Sequence, residues 1–313
     1  MAILFGAPIF MLGDRAAGPG EAHGSESTDY TALAAKHVAK GYAAAYAPKP
    51  PSGDREAIRA AREAFREAGV RIAEVGCWTN LMVDDEELRE ANIRLMAEAF
   101  LQADELQARC ALVTVGSVRS EGVDHHDSRN YSQEAFQRTV GTARRLIDIV
   151  RPKYAKLAFE ALPFDFTDTP AGMRRLLDAI ERPELGVHVD LVNWLLVSPR
   201  RYWDQHQVIG EMIEELGPWI IAAHCKDLQM QVGYEQNIVE VPPGKGHVDL
   251  RAYLKALDSL GKDITLLLEH LVDEIAYDAA SAYVRAEAFA AGIELPGPGG
   301  SLPSTQARRE IAC

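Results

Sequence analysis

The most constraining feature of this sequence is a regular alternation between short apolar runs and longer segments with the periodicity of an amphipathic helix. Eight apolar runs are predicted to be strands: Ile3–Phe10, Gly41–Ala47, Val70–Trp78, Cys110–Ser117, Lys156–Pro163, Gly186–Asn193, Trp219–Asp227 and Ile264–Leu271. Their starting points recur at intervals of about 37 residues, which is the length of one strand, loop and helix unit. Strands separated by helices on a regular repeat predict a parallel sheet.

The segments between the strands carry their own helix signals. Asp54–Ala68 has apolar residues at helical spacing and is followed by Gly69, a residue typical of helix ends. Thr169-Pro170 and Ser198-Pro199 each place a capping hydroxyl before a proline that suits the first helical turn. Further helices are predicted at Tyr30–Lys40, Asp85–Gln107, Gln133–Val150, Asp249–Leu260 and Asp273–Ala290.

Eight such units can close into a barrel or lie in an open doubly wound sheet, and the repeat alone does not separate the two. No GxGxxG sequence follows the first strand, and eight strands are the number at which a barrel closes around a filled interior. We therefore expect an α/β fold, a single (β/α)8 TIM barrel, over residues 1–290. Residues 291–313 are rich in Gly and Pro and are predicted to be a tail or an intersubunit arm.

Composition excludes several partners. The 313-residue chain has a formal net charge of −13 and no long basic run, which disfavours binding to nucleic acid. Its four cysteines lack CxxC spacing, so a disulfide framework or thiolate metal site is not expected and a reducing cytoplasm fits. The apolar run at the start is too short to span a bilayer. We expect a cytoplasmic protein without a membrane partner.

Four successive strands end in one potential metal ligand each. These residues are Glu160, Asp190, His224 and Glu269. Because the active site of such a barrel lies at the C-terminal ends of its strands, three carboxylates and one imidazole would converge there. Carboxylates gathered in a buried pocket need a cation. The oxygen-rich donor set predicts one divalent ion, manganese first, with magnesium, cobalt or zinc as alternatives.

The motifs around these residues resemble the xylose isomerase-like TIM barrels, which include sugar isomerases and epimerases and one branch of apurinic-site endonucleases. They read Phe-Glu160-Ala-Leu-Pro, Val-Asp190-Leu-Val-Asn193, His224-Cys-Lys226-Asp227, Pro-Gly244-Lys-Gly246-His-Val-Asp249 and Leu-Glu269-His. The resemblance implies that Glu160, Asp190, His224 and Glu269 hold one divalent metal ion.

The chain also departs from two branches of this family. Ketose 3-epimerases usually carry a histidine and an arginine where this chain has Asn193 and Met230. The endonuclease branch has extra histidines at strand ends that here hold Tyr46, Trp78, Thr79 and Asn80. The substrate contacts of the 3-epimerases are therefore not expected, and DNA repair is disfavoured.

Catalytic roles are predicted for Glu160, Glu269, Lys226 and His126. Lys226 is two residues from His224 on the same strand and would place an ammonium beside the metal to stabilise an oxyanion, or would pair structurally with a carboxylate. His126 follows the fourth strand, where it would serve as general acid or base, or be a solvent-exposed loop histidine.

Four residues are candidates for substrate contact: Asn193, Trp78, Trp194 and Lys245. For the two tryptophans, packing in the core is the alternative. We expect His188 to be a hydrogen-bonded core histidine and His270, which follows Glu269, to face the helices.

The predicted function is a metal-dependent enzyme that enolises a keto sugar and acts as an isomerase or epimerase. The alternative is β-elimination from a 3-oxo-glycoside, because Val-Pro-Pro-Gly-Lys-Gly and Leu-Glu-His-Leu resemble the large subunits of bacterial C-glycoside deglycosidases. A non-catalytic sugar-binding barrel is less favoured. The expected partners are a small-molecule sugar or glycoside and other copies of the chain, with a small second subunit in the deglycosidase case.

Overall fold

The computed structural model describes residues 2–9, 29–234 and 237–300. Within these residues, eight parallel strands form a closed barrel in which each strand pairs with the next barrel strand along the chain and the last pairs with the first. A two-stranded antiparallel hairpin is added to the barrel. The strands are β1 (Ile3–Gly6), β2 (Ala44–Tyr46), β3 (Arg71–Gly76), β4 (Cys110–Thr114), β5 (Lys156–Glu160), β6 (Leu185–Val189), β7 (Ile220–Cys225), β8 (Asp227–Gln231), β9 (Asn237–Val241) and β10 (Ile264–Leu268). The barrel strands are β1 to β7 and β10, which confirms the predicted TIM barrel.

Helices follow the barrel strands and cover the outside of the barrel. They are α1 (Tyr30–Ala39), α2 (Arg55–Glu67), α3 (Glu86–Leu106), α4 (Gln133–Val150), α5 (Pro170–Ile180), α6 (Leu191–Leu195), α7 (Pro199–Trp203), α8 (Gln205–Leu216), α9 (Leu250–Ser259) and α10 (Glu274–Ala291). Most begin at a capping side chain, such as Asp54, Thr169 and Asp273, that accepts a hydrogen bond from the first turn. The predicted caps are therefore the points at which these helices start.

Several predicted strands continue past the ends that the structure gives them. The fifth was expected to reach Pro163, whereas β5 ends at Glu160. Ala161 beyond it is still buried, so the apolar run continues into a loop that packs against the barrel. The predicted first strand extends to Phe10, which lies outside the described residues. Apolar sequence thus marks buried chain more reliably than it marks the last residue of a strand.

The hairpin of β8 and β9 was not predicted. It follows β7 directly and pairs Asp227 with Val241 and Gln231 with Asn237. In the sequence, residues 232–236 separate its strands, and this segment contains no Asn-Gly or Asp-Gly pair of the kind by which short hairpins are recognised.

Mostly small side chains, together with two leucines, fill the barrel interior below the carboxyl ends of the strands. Cys110, Ala158 and Ala222 are buried together there, and Leu4 and Leu267 belong to a neighbouring cluster. Most other large apolar residues lie between the strands and the helices. Side chains therefore pack together inside the barrel, and the polar residues at the carboxyl ends of the strands lie above this packed layer.

The described part of the C-terminal segment, residues 292–300, returns to the opposite face of the barrel. The backbone N–H of Gly299 donates to the carbonyl of Gly69, at 2.9 Å, just before β3 begins. Cys77, Cys110 and Cys225 carry no disulfide bond. Among the described helices, none combines the length and apolarity that a membrane span requires.

Candidate metal centre

The four predicted ligands converge at the carboxyl end of the barrel. Glu160 is the last residue of β5, His224 lies in β7, and Asp190 and Glu269 directly follow β6 and β10. Nδ1 of His224 lies 3.3 Å from Oε1 of Glu160, 3.3 Å from Oε2 of Glu269 and 3.8 Å from Oδ2 of Asp190. One donor atom from each residue lies within 4.8 Å of all the others. The strand ends therefore form one compact cluster of three carboxylates and one imidazole.

Local structure fixes the orientation of these ligands. Oδ1 of Asp190 accepts from the backbone N–H of Val192 at 3.0 Å and caps α6, which leaves Oδ2 for the cluster. Nδ2 of Asn193 donates to Oε1 of Glu160 at 3.3 Å and to the carbonyl of Ala161 at 3.0 Å. The predicted substrate contact Asn193 thus holds a ligand in place.

Lys226 belongs to the same cluster. Its ammonium lies 2.7 Å from Oδ2 of Asp190 and 2.7 Å from Oε2 of Glu269. Burial alone would lower the pKa of Lys226, but the charges of Asp190 and Glu269 raise it well above the usual value. The charged form of Lys226 is therefore favoured beside the carboxylates of the cluster.

The carboxylates of the cluster have pKa values that move in opposite directions. Burial raises the pKa of Glu160, and the charges of Glu269 and Asp190 add to the increase. Burial alone would also raise the pKa of Glu269, but His224 and Lys226 lower it. For Asp190, Lys226 and His224 outweigh burial and hold the pKa well below its usual range. Glu160 is the group most inclined to carry a proton, whereas Glu269 is inclined to be ionised.

The electrostatics of His224 follow from the same charges. Burial alone would lower the pKa of His224, but Glu269, Glu160 and Glu74 raise it well above the usual value for an imidazole. A metal ion at Nδ1 would therefore compete with a proton for this nitrogen.

Glu74 of β3 also lies at this centre, although no pattern in the sequence predicts it. It is 2% exposed, and its Oε2 lies 2.6 Å from Nε2 of His188 while its Oε1 lies 3.6 Å from Nε2 of His224. Burial alone would raise the pKa of Glu74, but the two histidines hold it well below the usual range. The available signal was a single carboxylate inside the apolar run Ile-Ala-Glu-Val. His188 lies in the barrel core as expected, but among the described residues neither of its ring nitrogens has a hydrogen-bond partner.

The mouth of the centre opens beside Glu269. The side chain of Glu269 is 14% exposed, whereas those of Glu160, Asp190 and His224 are at most 3% exposed. Nδ1 of His270 lies 3.1 Å from both carboxylate oxygens of Glu240 on β9. A molecule that enters the centre from solvent would therefore approach past Glu269.

His270 does not face the helices, and this prediction is wrong. Its φ of +61° places the backbone in the left-handed region, so the alternation of an extended strand does not continue beyond Glu269. Nε2 of His270 lies 3.5 Å from Oε2 of Glu269. The side chain thus joins the mouth of the centre.

The remaining candidates lie outside the cluster. Trp194 is 1% exposed and donates its indole N–H to the carbonyl of Thr167. Trp78 is partly exposed beyond the end of β3, and Lys245 is exposed. His126 is exposed and lies beside the ring of Tyr131, with 6.2 Å between ring centroids. Roles of these four residues in substrate binding or catalysis stay predictions.

The donor set fits a divalent cation. Three carboxylates and one imidazole without thiolate suit manganese or magnesium, and cobalt or zinc can also use such ligands. Oε2 of Glu160 is buried without a hydrogen-bond partner, so this oxygen is free to bind an ion. The cluster can therefore bind a metal, and the identity of that metal stays a prediction.

The fold and this centre define a (β/α)8 barrel with a metal-binding cluster at its carboxyl end. The family model described as xylose isomerase-like TIM barrel matches residues 32–293, and the chain belongs to this family. No curated protein matches the sequence significantly.

Three solved structures show how widely this fold is used. A xylose isomerase-like TIM barrel protein from Mycobacterium smegmatis, in complex with magnesium, is 16% identical over 93% of this chain and 97% of its own, with a TM-score of 0.63. The 3-keto-D-glucoside 4-epimerase from E. coli is 14% identical over 87% of this chain and 100% of its own, with a TM-score of 0.63. Endonuclease IV from Thermus thermophilus is 18% identical over 83% of this chain and 94% of its own, with a TM-score of 0.62. At such identities the likeness shows the fold alone.

Proposed function

We propose that this protein is a divalent-metal-dependent enzyme that removes the proton beside the carbonyl of a keto sugar and so acts as an isomerase or epimerase. One observation carries the proposal: the donor atoms of Glu160, Asp190, His224 and Glu269 lie within 4.8 Å of one another at the carboxyl end of the barrel. These residues would hold the ion. When bound, the ion would act as a Lewis acid that polarises the sugar carbonyl.

The two glutamates are suited to proton transfer in opposite directions. Glu269 has a lowered pKa and lies at the mouth, so its carboxylate would accept the proton from carbon. Glu160 has a raised pKa, and its carboxyl group would return a proton. Two carboxyl groups whose environments separate their pKa values are the arrangement that acid–base catalysis requires.

Lys226 would stabilise the negative charge that develops on the substrate oxygen. Its ammonium is buried, with a side chain 3% exposed, and is already held by Asp190 and Glu269. A preorganised cation in a site that excludes water is most effective at this task.

The fate of the enolate determines the reaction. Reprotonation gives an isomer or epimer, whereas a leaving group on the next carbon gives β-elimination from a 3-oxo-glycoside. A keto-sugar substrate fits the proposed Lewis-acid role of the ion, and one solved protein with this fold is a 3-keto-D-glucoside 4-epimerase. DNA is a poor candidate because the chain carries a net charge of −13.

Replacement of Glu269 tests the proposal. Glu269→Gln removes an anionic ligand and the proposed base, so we expect weaker Mn²⁺ binding and a loss of about 10²-fold or more in carbon-bound deuterium incorporation. The measurement is metal analysis together with NMR of a panel of ketoses and 3-oxo-glycosides incubated in D₂O. Aglycone release in the same samples would report elimination.

Glu67→Gln is the matched control, because Glu67 is an exposed glutamate at the end of α2 on the opposite face of the barrel. It should keep the wild-type metal content and exchange rate. Exchange by wild-type protein that is unaffected by a chelator, or unchanged exchange in Glu269→Gln, would contradict the proposal.

A further inference from the structure

Glu74 lies in the layer directly below the metal-binding cluster, and the proposed chemistry does not use it. Its carboxylate is buried and is enclosed by the imidazoles of His188 and His224, whose ring centroids are 4.1 Å apart. Burying a carboxylate is costly unless its oxygens are paired. The position of Glu74 between two histidines therefore needs a reason.

The reason lies in the two nitrogens of His224. Nδ1 faces Glu160, Asp190 and Glu269, while Nε2 faces Glu74. A neutral imidazole carries one N–H and one lone pair, and an imidazole that binds a metal must present the lone pair to the ion. His224 can bind an ion through Nδ1 only in the tautomer that carries its proton on Nε2.

We propose that Glu74 is a positioning residue that accepts the Nε2–H of His224 and thereby fixes Nδ1 as its metal-binding atom. The inference rests on the proposed metal site. Nε2 of His188 lies 2.6 Å from the other oxygen of Glu74, and this close contact restricts the position of the carboxylate. Oε1 of Glu74 and Nε2 of His224 are 3.6 Å apart, so a movement of about 0.7 Å brings them to hydrogen-bond length.

A second metal ion between Glu74, His188 and His224 is the competing explanation, since these residues also form a compact donor group. Oε2 of Glu74 and Nε2 of His188 are 2.6 Å apart. Two ligands of a tetrahedral zinc ion, each about 2.1 Å from the metal, lie about 3.4 Å apart. The observed separation is shorter than that of two ligands on one ion, so the two groups contact each other directly.

The test is Mn²⁺ affinity, measured from the EPR signal of free Mn²⁺ in titrations of the full-length protein. Glu74→Gln keeps the shape and one acceptor oxygen, whereas Glu74→Met keeps the approximate size and removes both. We expect the dissociation constant to rise about 10-fold in the first variant and about 100-fold in the second, the range found for outer-shell partners of metal ligands. If Glu74→Met does not fold, Glu74→Gln still provides the test.

Thr265→Val is the matched control. Thr265 is buried on the same face of β10 as Glu269, four residues earlier, and its hydroxyl has no hydrogen-bond partner. The variant changes a polar group inside the barrel without touching the cluster and should keep the wild-type Mn²⁺ affinity.

Thermal unfolding of the chelator-treated proteins separates positioning from a purely structural role. Melting temperatures that change in the Glu74 variants while both keep the wild-type Mn²⁺ affinity would overturn the inference. Two Mn²⁺ ions per wild-type chain, falling to one in Glu74→Met, would also overturn it in favour of the second site. Wild-type protein that binds no Mn²⁺ would overturn the proposed function and this inference together, whereas unchanged variants beside a metal-binding wild type would overturn the inference alone.

Discussion

Asp165, in the loop between β5 and α5, shows how one buried carboxyl group can affect the pH dependence of stability. It is 0% exposed, and its Oδ1 accepts from the backbone N–H and the hydroxyl of Thr167, both at 2.6 Å. Its Oδ2 is buried without a hydrogen-bond partner. Burial raises the pKa of Asp165 from 3.8 to about 7.

A raised pKa in the folded state means that the protonated form stabilises the fold. Below pH 4 Asp165 carries its proton in both states, whereas between pH 4 and 7 the unfolded chain ionises first. The free energy of unfolding should therefore fall as the pH rises from about 4 to about 7, by up to roughly 4 kcal/mol from this group. We expect Asp165→Asn to remove this decrease and to be more stable than wild type at pH 8.

Urea unfolding of chelator-treated wild type and variant, at several pH values from 4.5 to 8, measures the effect. The difference between the two curves isolates Asp165 from other groups that titrate in this range. Parallel pH profiles would show that Asp165 ionises in the folded protein as readily as in the unfolded chain.

The four residues of the cluster could be predicted at the scale of single residues because each is an isolated charged or imidazole residue at the end of an apolar run. Glu74 could not, because it lies inside its strand, and only the closed barrel brings it next to His224 from β7. The position of His270 depends on a left-handed backbone conformation that a residue other than glycine seldom adopts. Sequence periodicity carries no information on such a local reversal.

At the scale of elements, Asp227 joins the hairpin to the loop before α9. Oδ1 of Asp227 accepts from the N–H groups of Leu228 and Val248, and Oδ2 accepts from those of Gly244 and Gly246. A Cβ on Gly246 would lie 2.2 Å from the carbonyl oxygen of Leu228, so glycine is needed for this close approach. One carboxylate thus organises the whole Pro-Pro-Gly-Lys-Gly segment.

Asp227→Asn should loosen this segment. The amide nitrogen would face two N–H donors and leave them without an acceptor, at a cost of about 1–3 kcal/mol for each. We expect faster amide hydrogen exchange at Gly244 and Gly246, or at Leu228 and Val248, while exchange in β1 is unchanged. Wild-type protection throughout residues 242–248 would contradict this role of Asp227.

The barrel strands and the longer helices were predicted because their apolar periodicity and caps are local signals. The hairpin was not, because its strands are short and partly exposed and its connection has no strong turn signal. Asp227 pairs with Val241, which lies fourteen residues later in the chain, so the pairing depends on contacts made in the folded chain.

At the scale of the whole molecule, the C-terminal segment is held against the face opposite the metal centre. Gly69 has a φ of +68°, and a Cβ there would lie 2.4 Å from the backbone nitrogen of Gly299. Gly261 occupies the equivalent position after α9 with a φ of +61°, but a Cβ there would meet nothing within 4 Å. The two glycines differ in whether the C-terminal segment packs on them.

This difference gives a matched pair of variants. Gly261→Ala should lower the free energy of unfolding by about 1 kcal/mol, because alanine is strained in the left-handed region. Gly69→Ala should lower it further and expose the amide of Gly299, because the segment must move away. Thermal unfolding and hydrogen exchange measure both effects. Equal destabilisation with a protected Gly299 would show that the contact contributes nothing to stability.

Closure of the barrel could be expected from the count of eight strand and helix units. The path of the C-terminal segment could not be predicted, because its Gly and Pro residues form no apolar pattern. Whether residues 291–313 also contact another copy of the chain stays a prediction, as do the oligomer and the small second subunit.

The hairpin of β8 and β9 also bears on how such a protein could acquire new substrates. It supplies Glu240 to the mouth, yet it forms a sheet separate from the barrel and contributes none of the four cluster residues. Substitutions in its exposed part, such as at Val232 and Tyr234, can accumulate without disturbing barrel closure or the metal centre. Under the proposed function, substitutions beside Glu240 on this hairpin would alter the entrance to the centre while the four cluster residues and the pairing of the barrel strands are retained.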